Sequence, residues 1–195
     1  IIMLFVHRQD NEGAEEARWI ALVTTLATFA LSLVMWAQFD PSTANFQFVE
    51  QATWFNNYNI GYHLGIDGIS LFMVVLTTFL MPICVLCSWS AIQKRVRAFM
   101  VCFLVLESFV VGVFCSLDLL LFYIFFEGML IPMYLIIGIW GGKNRIYAAY
   151  KFFLYTLAGS VLFLLAIMAM YYQAGTTDIV KLLTYGFPRE MQTWL

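Results

Sequence analysis

Charge is what this sequence has least of. Of its 195 residues only 11% are Asp, Glu, Lys or Arg, and Pro occurs 4 times, Gly 12 and Cys 4. A soluble domain devotes about 25% of its residues to charge, so a fold wetted on all sides is excluded. Four Pro and twelve Gly against 19 Phe exclude disorder and collagen-like repeats. Basic residues are in no excess: the net charge is −2 and the pI about 5.6, so nucleic acid is not an expected partner. The opening apolar run lacks a basic lead-in and a small-residue cleavage site, and is not read as a signal peptide. What the chain does have is 63% apolar residues and a mean hydropathy of +0.84. It belongs in a bilayer.

A membrane helix needs roughly 20 mostly apolar residues at about 1.5 Å each. Five stretches qualify: 19–38, 69–89, 99–116, 119–140 and 147–172. Residues 1–6 read as the last turns of an earlier helix, and a chain that opens on Ile is expected to be a fragment or split-gene product. The fold class is all-α, a polytopic transmembrane helix bundle, and residues 1–195 are read as one membrane domain. The connectors alternate sides. Side one carries Arg8, Arg18, Lys94, Arg95, Arg97, Lys143, Arg145 and Lys151; side two carries Lys181 and Arg189. Eight basic residues against two make side one the cytoplasm or matrix. The localisation expected is an energy-coupling inner membrane, mitochondrial or bacterial.

Residues 39–68 form a polar excursion with Asn56-Asn57-Tyr58-Asn59 at its centre. Asp67 and Asp118 are placed to cap the second and fourth spans, supplying acceptors that lipid lacks. A short interfacial helix is expected over 178–185, with Ile179, Leu182 and Leu183 on one side. Trp19, Trp36, Trp89, Trp140, Tyr171 and Tyr172 read as interface anchors. The Cys84–Cys87 pair fits CxxC, but it lies mid-span among apolar residues with no second pair, and reads as small membrane-buried hydrophobes. Gly61–Gly65 fits GxxxG outside any apolar run and carries no packing signal. His7 and His63, both in connectors, are expected to be solvated.

Two carboxylates interrupt the spans, Glu107 and Glu127. A charge at the bilayer centre costs at least ~2.5 kcal/mol and by default marks an ion path or proton relay. The tight turn at Leu117 lies ten residues from each. At about 1.5 Å per residue both sit ~15 Å above side two, near the middle of a ~30 Å core. Two carboxyls level on neighbouring helices are placed to interact, though the sequence leaves open whether they face one another. A carboxyl in that setting takes up or releases its proton according to what moves beside it. Pro132 follows Glu127 by five residues; its ring removes an amide and conflicts with the Gly128 carbonyl, loosening the helix there. Lys151, one turn inside its span, either snorkels to the headgroups or points inward as a relay. A pore is not expected, because no ring of like charge lines a span.

The runs Leu64-Gly65-Ile66-Asp67-Gly68-Ile69-Ser70-Leu71, Asp118 through Glu127 to Tyr134, and Lys151-Phe152-Phe153-Leu154-Tyr155-Thr156 resemble a known family. It is the antiporter-like membrane subunit 4 (chain M) of proton-pumping NADH:quinone oxidoreductase, respiratory complex I. The resemblance implies a fourteen-helix fold with two inverted five-helix repeats and broken helices, of which this chain is the end of helix 1 through helix 6. It implies that Glu127 is the helix 5 carboxylate of proton translocation, with a lysine partner on helix 7 beyond Leu195. Glu107 is carried as a possible second carboxylate and Lys151 as a possible relay. NADH, FMN, iron–sulfur clusters and quinone are implied in other subunits, with no cofactor or metal in this chain. The implied partners are the other membrane-arm subunits, sister antiporter-like subunits among them, and membrane lipids. Energy arriving through the arm then shifts a lysine–glutamate pair and drives protons from side one to side two. The alternatives are a subunit of a multisubunit cation/proton antiporter, and a structural protein whose glutamates are inert.

Overall fold

The computed structural model describes residues 11–55 and 60–193. The run 1–6, His7, Arg8 and the Asn56–Asn59 motif lie outside the described residues. Five helices are long and apolar enough to cross a membrane: α1 (Asn11–Gln38), α2 (Gly68–Ala91), α3 (Val96–Cys115), α4 (Leu119–Trp140) and α5 (Arg145–Ala174). Two short helices follow, α6 (Ile179–Thr184) and α7 (Arg189–Gln192). The Asp67 carboxylate accepts from Ser70 N at 2.7 Å, and that of Asp118 from Leu120 N and Leu121 N at 2.9 and 3.2 Å. Both start their helices as capping chemistry requires.

Helices α1, α2 and α3 pack as a triangle. Its core near side one is Ala17, Ala21, Val85, Val96, Phe99 and Met100. Aromatic pairs hold α1 antiparallel to α2: Trp19 with Trp89, Phe29 with Phe79, and Trp36 with Phe72. Arg18 is buried and closes the side-one end, donating to the Ile92 carbonyl at 2.8 Å and lying 5.9 Å from the Trp89 ring centre. Trp140 donates its indole N–H to the Lys94 carbonyl at 2.7 Å, joining the two side-one turns. Helix α4 packs on α3, and α5 on α4. The α3–α4 contact is close because glycine faces a ring in both directions. A Cβ on Gly112 would lie 2.7 Å from the Phe125 ring, and one on Gly128 2.7 Å from that of Phe109.

On side two the polar excursion contains paired strands. Residues 47–55 and 60–66 pair as an antiparallel hairpin of β1 (Gln47–Phe55) and β2 (Ile60–Ile66), with Gln51 opposite His63. The segment is rich in the aromatic and β-branched residues that suit a pleated surface, and pairing satisfies amides that a loop would leave open at the membrane surface. The hairpin is tied to the bundle. Leu117 N donates to the His63 carbonyl, Leu119 N to that of Thr177 and Ile179 N to that of Leu117, each at 2.9 Å. The Thr177 hydroxyl donates to the buried Asp118 carboxylate. His63 is therefore buried, not solvated: its exposure is 8%, and Nδ1 lies 3.5 Å from Asp178. The same clasp explains why the expected interfacial segment begins at Asp178, whose carboxylate caps α6 through Val180 N at 3.0 Å.

Two measurements check this arrangement. Gly112→Val forces a branched side chain into the Phe125 ring and is expected to destabilise by about 1–3 kcal/mol, the usual range for overpacking, read as a lower melting temperature of the purified assembly. Cysteines introduced as Ser42→Cys and Gln93→Cys are expected to react with an impermeant thiol reagent from opposite faces of the membrane; labelling from one face would overturn the topology.

Candidate functional site

Glu127 stands on the face of α4 that meets α5. Phe122 packs edge-on against Phe163, and Tyr134 against Tyr150 and Phe153. That register places Glu127 level with Ala158 and Gly159, one to two residues from Ser160. Glu127 Oε1 is buried with no hydrogen-bond partner among the described residues. Tyr123, one turn earlier, lies near the Glu127 carboxylate and the Ser160 hydroxyl. The phenol is the donor to a carboxylate, which has lone pairs only. Ser160 is buried and its hydroxyl reaches the Leu157 carbonyl at 3.0 Å. It also lines a groove of about 450 Å³ between α4 and α5, walled by Phe122, Phe126, Thr156, Gly159 and Phe163. A polar line thus leads from the carboxylate through a phenol and a hydroxyl to a mostly apolar groove. Pro132 lies within α4, which continues unbroken to Trp140, and it withholds the N–H that the Gly128 carbonyl would accept.

Glu107 occupies a different place. The Gly112–Phe125 and Phe109–Gly128 contacts put it at the height of Leu130, so Glu127 lies three residues, or about 4.5 Å, nearer side two. On α3 it is five residues from Gly112, roughly 140° around the helix from the α4 contact. Its stripe runs through Val96, Met100 and Glu107, and faces α1 and α2. Glu107 is 4% exposed and its Oε1 has no hydrogen-bond partner among the described residues. The two carboxyls are close in height and turned apart, so they do not form a facing pair.

Lys151 is exposed on α5 with its ammonium 5.9 Å from the centre of the Tyr147 ring. By the α4–α5 register it is level with Tyr134, seven residues or about 10 Å nearer side one than Glu127. The structure does not bring it to either carboxylate. Sequence reasoning missed Tyr123 and Ser160. Tyr123 was within reach of the i, i+4 rule for helix neighbours; Ser160, on another helix, left no signal along the chain.

Two family models meet at the α3–α4 turn. Residues 17–113 match the amino terminus of NADH-ubiquinone oxidoreductase chain 4, and residues 116–195 the NADH:quinone oxidoreductase/Mrp antiporter transmembrane family. NADH-quinone oxidoreductase subunit M of Rhodobacter capsulatus is 53% identical over 96% of this chain and 36% of its own length. NADH-ubiquinone oxidoreductase chain 4 of Arabidopsis thaliana is 53% identical over 100% of this chain and 39% of its own. The chain thus spans about two fifths of the length of the curated relatives it matches. Among solved structures, a chain of respiratory complex I from Thermus thermophilus with bound NADH superposes with a TM-score of 0.80 at 26% identity, over 91% of this chain and 37% of that one. A chain of the Mrp complex from Dietzia sp. DQ12-45-1b gives a TM-score of 0.76 at 16% identity, over 88% of this chain and 19% of that one, a likeness of fold alone.

Tyr123→Phe keeps the ring and removes the hydroxyl shared by Glu127 and Ser160. It is expected to cost about 1 kcal/mol, the net worth of an ordinary hydrogen bond, read by thermal denaturation of the assembled protein. Ser160→Ala, which spares the Tyr123–Glu127 contact, is expected to cost less.

Proposed function

The chain belongs to the family of NADH-ubiquinone oxidoreductase chain 4 and its bacterial counterpart subunit M, and on that premise we propose that it is a proton-translocating membrane subunit of NADH:quinone oxidoreductase. Glu127 is the proton carrier. The observation that carries this reading is a carboxylate oxygen buried in the membrane span without a hydrogen-bond partner, with a phenol and a hydroxyl near it. An intramembrane carboxyl in such a setting is a relay by default. Glu127 holds the proton; Tyr123 donates to the carboxylate when the proton leaves, and Ser160 extends the line to the α4–α5 groove. The Gly128 carbonyl, left without an amide by Pro132, is a further acceptor beside the carboxyl. Among the described residues no Lys or Arg nitrogen lies within salt-bridge distance of Glu127. The family resemblance assigns the charge that switches it to a lysine on a further transmembrane helix.

Glu107 acts as a second carboxylate on the opposite face of the same helix pair. Lys151 contributes as a relay only if a further helix covers the exposed face of α5. NADH oxidation, flavin, iron–sulfur clusters and quinone reduction belong to other subunits, and this chain couples to them through the membrane arm, beside sister antiporter-like subunits and lipid. The eight-to-two distribution of basic residues supports proton movement from the matrix or cytoplasmic face toward the hairpin side. The antiporter alternative shares the family model over 116–195 and a likeness of fold, and is not favoured beside the chain 4 model over 17–113 and relatives at 53% identity.

The test is Glu127→Gln in the intact complex reconstituted into vesicles, with NADH oxidation and proton uptake followed together. Gln keeps the shape and cannot carry the proton, so proton transfer per NADH is expected to fall at least about tenfold, within the contribution usual for a positioned acid–base group. Unchanged pumping by a fully assembled variant would show the glutamate to be inert.

A further inference from the structure

We propose that the α1–α2–α3 triangle contains a proton-loading site of its own, in which a buried water joins Glu107 to the hydroxyl pair Thr78–Ser32. It deepens the reading above and stands on separate observations. The α2–α3 register, with Val85 against Val96, Phe99 and Met100, places Thr78 at the height of Glu107, one heptad toward side two. The α1–α2 contacts place Ser32 at the same height, and its hydroxyl lies 2.8 Å from that of Thr78. All three side chains are buried: Ser32 is 5% exposed, Thr78 1% and Glu107 4%. From Ile20 to the end of α1, throughout α2, and from Ala98 to the end of α3, Glu107 is the sole Asp, Glu, Lys, Arg or His. Arg18, near side one, is occupied by Ile92, Gln93 and Trp89.

What this layer lacks is donors. Glu107 Oε1 is without a partner. Pro82, inside α2 and buried, withholds the N–H that the Thr78 carbonyl would accept. The hydroxyl protons already have acceptors: Thr78 reaches the Val74 and Val75 carbonyls at 3.0 and 3.1 Å, and Ser32 reaches that of Phe29 at 2.7 Å. A buried water needs two to four polar partners and supplies two donors, which matches the shortfall. A hard cation asks for six or more oxygen ligands, more than one carboxylate and two hydroxyls offer.

Either atom of the Ser32–Thr78 pair can be the donor, and this gives the layer two satisfied patterns. With Glu107 ionised, the water donates to Oε1 and accepts from Thr78, and Ser32 donates to Thr78 Oγ1. With Glu107 protonated, the acid O–H donates to the water and the water donates to Thr78 Oγ1, whose own proton turns to Ser32 or to Val74. The proton is stored on the carboxyl and the hydroxyls reorient; no other atom is gained or lost.

The experiment is electron cryo-microscopy of the intact complex at a resolution that shows waters, with proton pumping measured on the same preparations. Density for a water within hydrogen-bond distance of Glu107 and Thr78 is expected, with its loss in Thr78→Val and reduced proton transfer per NADH in that variant. A dry layer, a protein donor seated on Glu107 Oε1, or unchanged pumping in Thr78→Val would overturn the proposal. Ser32→Ala, a milder change in a helix, is expected to lower pumping in the same direction, and unchanged pumping there would count equally against the hydroxyl pair. The water is read from density, so a dry layer leaves the Glu127 reading standing. A Glu127→Gln variant that still pumps would remove that reading and leave the water in place.

Discussion

Lipid offers no hydrogen bonds, and this one constraint organises the molecule. Each polar group taken into the span must find its partner within protein or an enclosed water. The backbone meets the demand by forming helices, and most hydroxyls by turning back on their own carbonyls, as Thr25, Ser32 and Thr78 do. Two carboxyls do not fully meet it. Glu107 and Glu127 each keep a buried oxygen without a partner, and a structure that tolerates this at a cost of several kcal/mol uses those groups for something other than stability.

The two carboxyls are separated by how α3 and α4 pack. Gly112 and Gly128 each admit a phenylalanine ring from the opposite helix, bringing the backbones together and setting the rotation of both. The consequence is that Glu127 turns toward α5 and Glu107 toward α1 and α2. Each carboxyl then lies close in height to a carbonyl released by proline, Gly128 by Pro132 and Thr78 by Pro82. The repetition is physical: a proline is the simplest way to leave an acceptor free in a helix that otherwise closes every bond.

Side two is held differently. There the hairpin, the α3–α4 turn and the segment before α6 exchange backbone hydrogen bonds, with Asp118 and Thr177 buried between them. The ends of three helices are fixed to one another by this clasp, while the basic turns of side one are joined through Arg18 and Trp140. The carboxyls lie between two rigid ends.

Hydropathy and charge are properties of consecutive residues, so the sequence alone determined the helices, their sidedness, the caps at Asp67 and Asp118, and the presence of Glu107 and Glu127 near mid-membrane. The hairpin was less legible, since its register depends on the surface it rests against, and His63 looked solvated because its burial comes from Thr177, Asp178 and Leu117, more than fifty residues away. Which way each carboxyl faces was not legible at all. Depth follows from counting along one helix, whereas direction follows from rotation about its axis. That rotation is decided by rings, glycines and hydroxyls on neighbouring helices, which no residue's own neighbours in the chain record. For the same reason only the assembled bundle could show Lys151 apart from Glu127, Tyr123 reaching Ser160, and Thr78 level with Glu107.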